Sequence, residues 1–287
     1  MTILERLLAL YFRSGLRGST RLTDIIASRL TRLHDVVIRA NGGELHLDLR
    51  VGSARGILAY PESRTGEDKV IGRLVRAGDV VLDIGAHLGF YTLLLSRKVG
   101  AGGKVFAFEP NPTVLPSLVK SVSTVSNINL LQLGLADKAG DVELFIPEDA
   151  SMSSLHDWTN GTAGTVDVVK IPIATLDELY ESGAIPLPQF IKCDIEGAEL
   201  SVFKGAQEML DRQDAPVLMF ELNRPASVAF GSTPSDCLEF LRSLQEPKYS
   251  FFQVSADGIE SLQTSNLDFA NVLAIPVQRL GEVGFSG

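Results

Sequence analysis

The chain has 287 residues and a formal net charge of −9, which excludes a general nucleic-acid binder, since such a surface must be basic enough to neutralise phosphates. Its 45% hydrophobic and 21% charged residues describe a globular protein with a sizeable core, long enough for one large α/β domain with additions. The two cysteines, Cys193 and Cys237, are too few for a disulfide framework or a thiolate zinc site and suit a reducing, cytoplasmic setting.

The N-terminus, Met1–Phe12, has Glu5 and Arg6 inside its apolar stretch and no small-residue cleavage site, so it reads poorly as a signal peptide. No apolar run approaches the roughly 20 residues needed to span a bilayer. Residues 2–13 place Ile3, Leu7, Leu8, Leu10 and Tyr11 near helical spacing, and a second basic, amphipathic segment runs from about Thr23 to Leu33. Residues 1–57 carry nine Lys/Arg against five Asp/Glu, a local charge of +4 that leaves −13 for the remainder. Val36–Leu49 alternates around Asn41-Gly42-Gly43, the pattern of a β-hairpin. These features divide the chain into a helical and hairpin cap, residues 1–57, and a main α/β unit, residues 58–287. The cap packs on the main unit or, on a sharper reading, makes peripheral contact with an anionic membrane or an acidic partner.

Gly56–Gly66 is polar and turn-rich, and Glu67–Arg76 is predicted as a helix. Val80–Ile84 is apolar without alternation, as expected of a parallel strand buried on both faces. It ends in Asp83 and the turn Gly85-Ala86-His87-Leu88-Gly89, after which Tyr91–Val99 is predicted as a helix whose free N–H groups face a ligand. Lys104–Glu109 is a second such strand, followed by Pro110-Asn111-Pro112 and a helix to about Val122. Ile128–Leu133 is a third strand. Asp141–Ile146 and Val166–Ala174 alternate as an inserted or edge hairpin, and the Ser/Thr/Asn/Gly-rich stretch Pro147–Gly164 between them is long enough to be functional. Thr175 is a candidate N-cap. Phe190–Cys193 is a fourth strand ending at Asp194, Ala198–Arg212 a helix and Val217–Leu222 a fifth strand with Glu221 and Asn223 at its end. A helix over Ser235–Leu244, capped by Ser235, and the strands Tyr249–Val254 and Phe269–Ile275 complete the pattern. Alternating β and α units imply a mostly parallel sheet with helices on both faces, and the last two strands form an antiparallel hairpin.

Asp83, Glu109, Asp194 and Glu221 fall at the ends of successive strands, where ligands of open α/β sheets bind. Glu109 lies twenty residues after Gly89, the spacing at which an acid accepts hydrogen bonds from ribose hydroxyls. The glycine pattern lacks the central glycine of the dinucleotide fingerprint, which serves the close pass of a pyrophosphate. A nucleoside with an amino-acid tail fits better, with Asp83 near the ammonium and the loop amides near the carboxylate.

Four ordered motifs carry a resemblance: Asp83-Ile84-Gly85-Ala86-His87-Leu88-Gly89-Phe90-Tyr91, Phe108-Glu109-Pro110-Asn111-Pro112, Thr175-Leu176-Asp177-Glu178-Leu179 and Ile191-Lys192-Cys193-Asp194-Ile195-Glu196-Gly197-Ala198-Glu199. Over roughly residues 60–276 the chain resembles the FkbM family of S-adenosylmethionine-dependent methyltransferases. The resemblance implies the class I, Rossmann-like methyltransferase fold, a seven-stranded, mostly parallel sheet with its last strand antiparallel. It also implies O-methylation of a sugar, glycan or other natural product, with S-adenosylhomocysteine as the second product. By the same resemblance, Gly85, Ala86, His87, Gly89, Phe90 and Tyr91 contact the methionine part of the cofactor. Glu109, Pro110 and Asn111 lie at the ribose, and Leu135, Ala136 and Asp137 at the adenine edge. Ser154 belongs to a lid segment that meets the cofactor. His87 stands where the family commonly has Asn, adding a titratable group.

A hydroxyl is a poor nucleophile, and a carboxylate within hydrogen-bond reach can take its proton as attack proceeds. Asp194 and Glu196 are the catalytic candidates, and Asp194 also stands near the cofactor. Asp194, Glu221 and Asn223 together could hold one Mg²⁺ by oxygen ligands, an option that the resemblance does not require. His156 is a further candidate base, and Trp158 could stack on a sugar. The alternatives are an NAD-type Rossmann oxidoreductase, disfavoured by the missing glycine, and a non-catalytic module that binds the cofactor or a partner.

Overall fold

The computed structural model describes residues 3–14, 26–27, 29–61, 66–147, 150–156, 166–255, 258–263 and 267–283. Trp158 and the start of the segment expected from Thr23 lie outside the described residues.

Thirteen strands occur among them: β1 (Val36–Ala40), β2 (Gly43–Leu47), β3 (Val80–Ile84), β4 (Lys104–Phe108), β5 (Ile128–Leu131), β6 (Gly134–Leu135), β7 (Gly140–Pro147), β8 (Val166–Ala174), β9 (Phe190–Cys193), β10 (Val217–Asn223), β11 (Tyr249–Ser255), β12 (Gly258–Ser261) and β13 (Phe269–Pro276). The main sheet has the order β12-β11-β13-β10-β9-β3-β4-β5. From β5 to β10 the strands run parallel, while β13 is antiparallel to both β10 and β11. Seven of these strands reproduce the expected class I arrangement. The eighth, β12, is an addition: residues read as loop after Val254 turn back at Gly258, where φ is +141°, and pair with β11. The last strand, β13, inserts between β10 and β11 rather than closing the edge.

β3 shows why its sequence lacks alternation. Leu82 and Ile84 pack into one apolar cluster with Ile191 and Phe220, and Val81 into another with Ile71, Leu94 and Leu95. Helices cover both faces, so Val81–Ile84 are all buried and only Val80, at the start, is half-buried. A separate three-stranded sheet, β6-β8-β7, holds the expected hairpin of β7 and β8, with β6 parallel to β8.

The β1–β2 hairpin turns through Asn41 and Gly42, at φ +53° and +87°, the left-handed pair that a two-residue hairpin turn requires. It sits on the main unit: Asn41 Nδ2 donates to Phe90 O at 2.7 Å and His46 N to Ser121 Oγ at 2.9 Å. Leu45, Leu47, Leu49 and Leu58 share one apolar cluster with Leu88, Leu93, Val114 and Ile146.

Three sequence readings need correction. The stretch read as turn-rich from Gly56 begins inside a helix, Gly52–Ala59, which buries Ala54, Leu58 and Ala59. Its Arg55 is drawn inward because Nε donates to Leu49 O at 2.6 Å. The helix expected over Ala198–Arg212 is two, Glu199–Lys204 and Gln207–Leu210. They part at Gly205, where a Cβ would lie 2.0 Å from the Ala136 carbonyl oxygen. The second piece is capped by Asp177, whose carboxylate accepts Glu208 N and Met209 N at 2.9 Å each. The helix Pro234–Ser243 is capped by Thr233, not Ser235, in a reciprocal box with Asp236. Thr175 does cap its helix as expected, in a box with Glu178. Among the described residues no helix is long and apolar enough to cross a membrane.

Candidate active site

The strand order reverses at β3, whose neighbours are β4 and β9, and such a switch point opens a crevice beyond the carboxyl ends of the strands. A cavity of about 500 Å³ lies there. Gly85, Ala86, His87, Phe90, Tyr91, Glu109, Pro110, Asn111, Leu135, Ser154, Asp194 and Glu196 all line it. Four separate loops and the segment around Ser154 therefore converge on one space.

The turn after β3 is shaped by contact. At Gly85 φ is +84°, and a Cβ would fall 2.0 Å from the Asp194 carbonyl oxygen, so the backbone beyond β9 passes directly against it. His87 holds φ +53° without being glycine. Its N–H donates to Glu109 Oε2 at 2.7 Å, and Asn111 N donates to Oε1 at 2.8 Å. Glu109 thus braces both loops from below the cavity. Burial pushes its carboxyl up to about 7 against the pull of those two amides. The His87 ring lies 3.3 Å from Ser53 Oγ, so the cap helix reaches the same turn.

Some expected residues stand elsewhere. Asp83 is fully buried beneath the cavity and accepts Thr92 Oγ1 at 2.5 Å. Burial raises its carboxyl, opposed by Lys192 and Thr92. Gly89 caps the Phe90–Val99 helix at φ +90° and packs against Leu118. Ala136 is held by its N–H to Ala174 O at 3.0 Å. Asp137 borders a different cleft, with its N–H on Ser201 Oγ at 3.1 Å. Of the three residues expected at the adenine edge, Leu135 is the one on the cavity. His156 stacks edge-on against Phe230, ring centroids 4.6 Å apart, and is not part of the lining.

On the β9–β10 side, Asp194, Glu196 and Glu221 bring carboxylate oxygens within 4.8 Å of one another. Glu196 sits at φ +55°; its carbonyl accepts Ser154 Oγ at 2.8 Å, and Asn223 Nδ2 donates to its carboxylate at 3.3 Å. Burial pushes Glu221 up to about 9, reinforced by Asp194, Glu196 and Glu199 and opposed by Lys192. A cation held by oxygen ligands would therefore meet Glu196 in place of Asn223. The Asn223 amide instead faces Glu196 and caps the following helix through Ala226 N at 3.4 Å.

A model of the methyltransferase FkbM domain matches residues 83–250, more than half of the chain. The chain belongs to this family. The hexuronic acid methyltransferase AglP of Haloferax volcanii is 34% identical over 149 residues, covering 50% of this chain and 58% of that protein. The 31-O-demethyl-FK506 methyltransferase FkbM of Streptomyces tacrolimicus is 27% identical over 161 residues, covering 47% and 62%. These matches leave more than a third of each relative's length outside the shared region. Among solved structures, a methyltransferase FkbM from Methylobacillus flagellatus KT shows a TM-score of 0.44 at 16% identity, over 77% of this chain and 52% of that one.

Two features of the cavity escaped the sequence reading, one inside the FkbM domain and one before it. Lys192 lines the cavity although it sits in a fully buried strand; the signal was a lysine inside the apolar run Phe190–Cys193. Gly56 and Ile57 of the helix Gly52–Ala59, with Tyr60 at its C-cap, form another part of the wall, and the pattern hid that helix behind Gly56.

Proposed function

We propose that this FkbM-domain chain binds S-adenosylmethionine in the 500 Å³ cavity and catalyses transfer of its methyl group to a hydroxyl of a sugar or other natural product. The observation that carries the reading is the convergence of the Gly85–Gly89 turn, Glu109 and the Asp194–Glu196 loop on one space. The names of the relatives, which act on a hexuronic acid and on a demethylated FK506, support hydroxyl-bearing acceptors.

The residues present suit such a cofactor. Glu109 and Asn111 offer polar groups for ribose hydroxyls, Leu133 and Leu135 an apolar slot for a base, and the turn at Gly85–His87 a seat for the amino-acid end. When bound, the cofactor supplies an electrophilic methyl carried on a sulfonium. The protein's task is then to align the acceptor oxygen, exclude water and receive one proton. Asp194 is bound to Lys192, 2.8 Å away, which leaves Glu196 better placed to take the proton as the new C–O bond forms. The apolar wall of Ile57, Tyr60 and Leu155 would hold the acceptor. No metal is required on this reading, because Lys192 supplies the charge that Asp194 needs.

A nicotinamide dinucleotide fits less well, since the His87 side chain occupies the turn where a pyrophosphate would pass. Residues 1–57 act as a cap over the acceptor end, with 58–287 as the transferase unit. The exposed Leu7 and Leu10 beside Arg6 support peripheral contact with an anionic membrane as a second role for the cap. The buried free thiols of Cys193 and Cys237 are compatible with a cytoplasmic location. Transfer of labelled methyl from S-adenosylmethionine to a panel of neutral and acidic sugars and macrolides tests the activity. Absence of both transfer and cofactor binding would overturn it.

A further inference from the structure

We propose that Lys192 is a positioning residue, a buried ammonium that clamps Asp194 and Tyr91 together across the cavity wall and serves as the site's internal counter-ion. The inference rests on the cofactor site assigned above and adds the element that holds its two halves in register.

Lys192 is 3% exposed, on a strand whose four residues are all buried. An ammonium at such a depth is costly unless compensated. Three compensations are present. Its Nζ donates to Asp194 Oδ2 at 2.8 Å. It lies 4.4 Å from the centre of the Tyr91 ring, within the range of a cation–π contact. In the sheet it is the register partner of Asp83 on β3. Tyr91 extends the set, because its hydroxyl donates to Glu67, itself 6% exposed, on the helix Glu67–Leu74. Burial alone would lower the ammonium's pKa, but Asp194, Glu67 and Asp83 outweigh it and hold the group protonated.

The arrangement matters because Tyr91 and Asp194 belong to different segments of the chain. Tyr91 opens the helix that follows the glycine turn of β3, and Asp194 leaves the end of β9; both line the cavity. One nitrogen touches both. Held so, Asp194 is a fixed negative wall beside the turn, not a mobile base. Removing the lysine leaves Asp194 an uncompensated carboxylate and frees the Tyr91 ring from its partner. Removing the carboxylate as well relieves the first of these penalties.

A double-mutant cycle on the full chain tests this, with S-adenosylhomocysteine affinity measured by calorimetry for the unaltered protein, Lys192→Met, Asp194→Asn and the pair. The clamp requires each single change to weaken binding about ten-fold or more, and the pair to bind no worse than Lys192→Met alone, a strongly non-additive result. Lys192→Arg, which keeps the charge, is expected to recover most of the loss. Additive losses in the pair, or unchanged affinity in Lys192→Met, would overturn the proposal. If Lys192→Met does not fold alone, recovery of a folded, binding-competent protein in the pair supports the clamp, and an unfolded pair contradicts it. Failure of the unaltered protein to bind would count against the cofactor reading, which separates the two.

Discussion

The His87 N–H donates to Glu109 Oε2 at 2.7 Å, joining the turn after β3 to the end of β4. A non-glycine residue at φ +53° is held there by an acid that also accepts Asn111 N. Glu109 therefore builds the cavity wall, besides the ribose contact proposed for it. Glu109→Ala should weaken S-adenosylhomocysteine binding by about 1–3 kcal/mol, the cost of deleting a buried charged acceptor. Glu109→Gln, which retains one acceptor oxygen, should lose less, and calorimetric titration of both variants measures the difference.

The same acid carries a pH dependence. Glu109 and Glu199 are both raised from 4.5 to about 7 by burial. A carboxyl raised on folding binds its proton more tightly in the native state, so its protonated form favours folding and stability falls as pH climbs from about 4.5 towards 7. The limiting slope is about 1.4 kcal/mol per pH unit for each group. Urea unfolding at pH 5 and pH 7.5 should show the decline, and Glu109→Gln with Glu199→Gln should make it shallower, leaving the share of Glu221, whose carboxyl burial raises to about 9. A stability rising over that interval would contradict the burial of these acids.

Much of this site could be read from residue order alone. The bounds of β3 and β9 follow from short apolar runs, interrupted only by Asp83 and Lys192, and Glu109 follows from its distance to Gly89. What escaped was tertiary. Gly205 breaks a helix only because the Ala136 backbone presses on it from another loop, which no local pattern encodes. Gly52–Ala59 is short, contains Gly56 and is stabilised by Arg55 and by contact with the helix Ile3–Arg13, none of which gives a periodic signal. The role of Lys192 depends on Asp194 and Tyr91, which the fold brings to its ammonium.

Gly85→Ala should destabilise the protein by about 2–4 kcal/mol, since the substitution combines a left-handed backbone with a collision at the Asp194 carbonyl. Thermal melting compared with Gly56→Ala, where a Cβ meets nothing within 4 Å, separates this packing effect from the general consequence of removing a glycine.

Glu196→Gln should reduce kcat by about 10²–10⁴-fold while leaving S-adenosylhomocysteine affinity within about three-fold. Tyr60→Ala should instead raise the acceptor KM with little change in cofactor binding. If Glu196→Gln leaves kcat intact, Glu196 is not the group that takes the proton.

Turnover should survive EDTA, because Lys192 at 2.8 Å already compensates Asp194 and Asn223 at 3.3 Å already engages Glu196. Loss of activity that returns with Mg²⁺ would show that the acids at 194, 196 and 221 gather around a cation.

The most direct measurement is calorimetric titration of the full chain with S-adenosylmethionine and S-adenosylhomocysteine. One molecule of either should bind per chain, in competition with the other, and Glu109→Ala should weaken both. No heat of binding for either ligand at about 1 mM, where even a contribution of −4.1 kcal/mol would register, would contradict the assignment of this cavity to the cofactor.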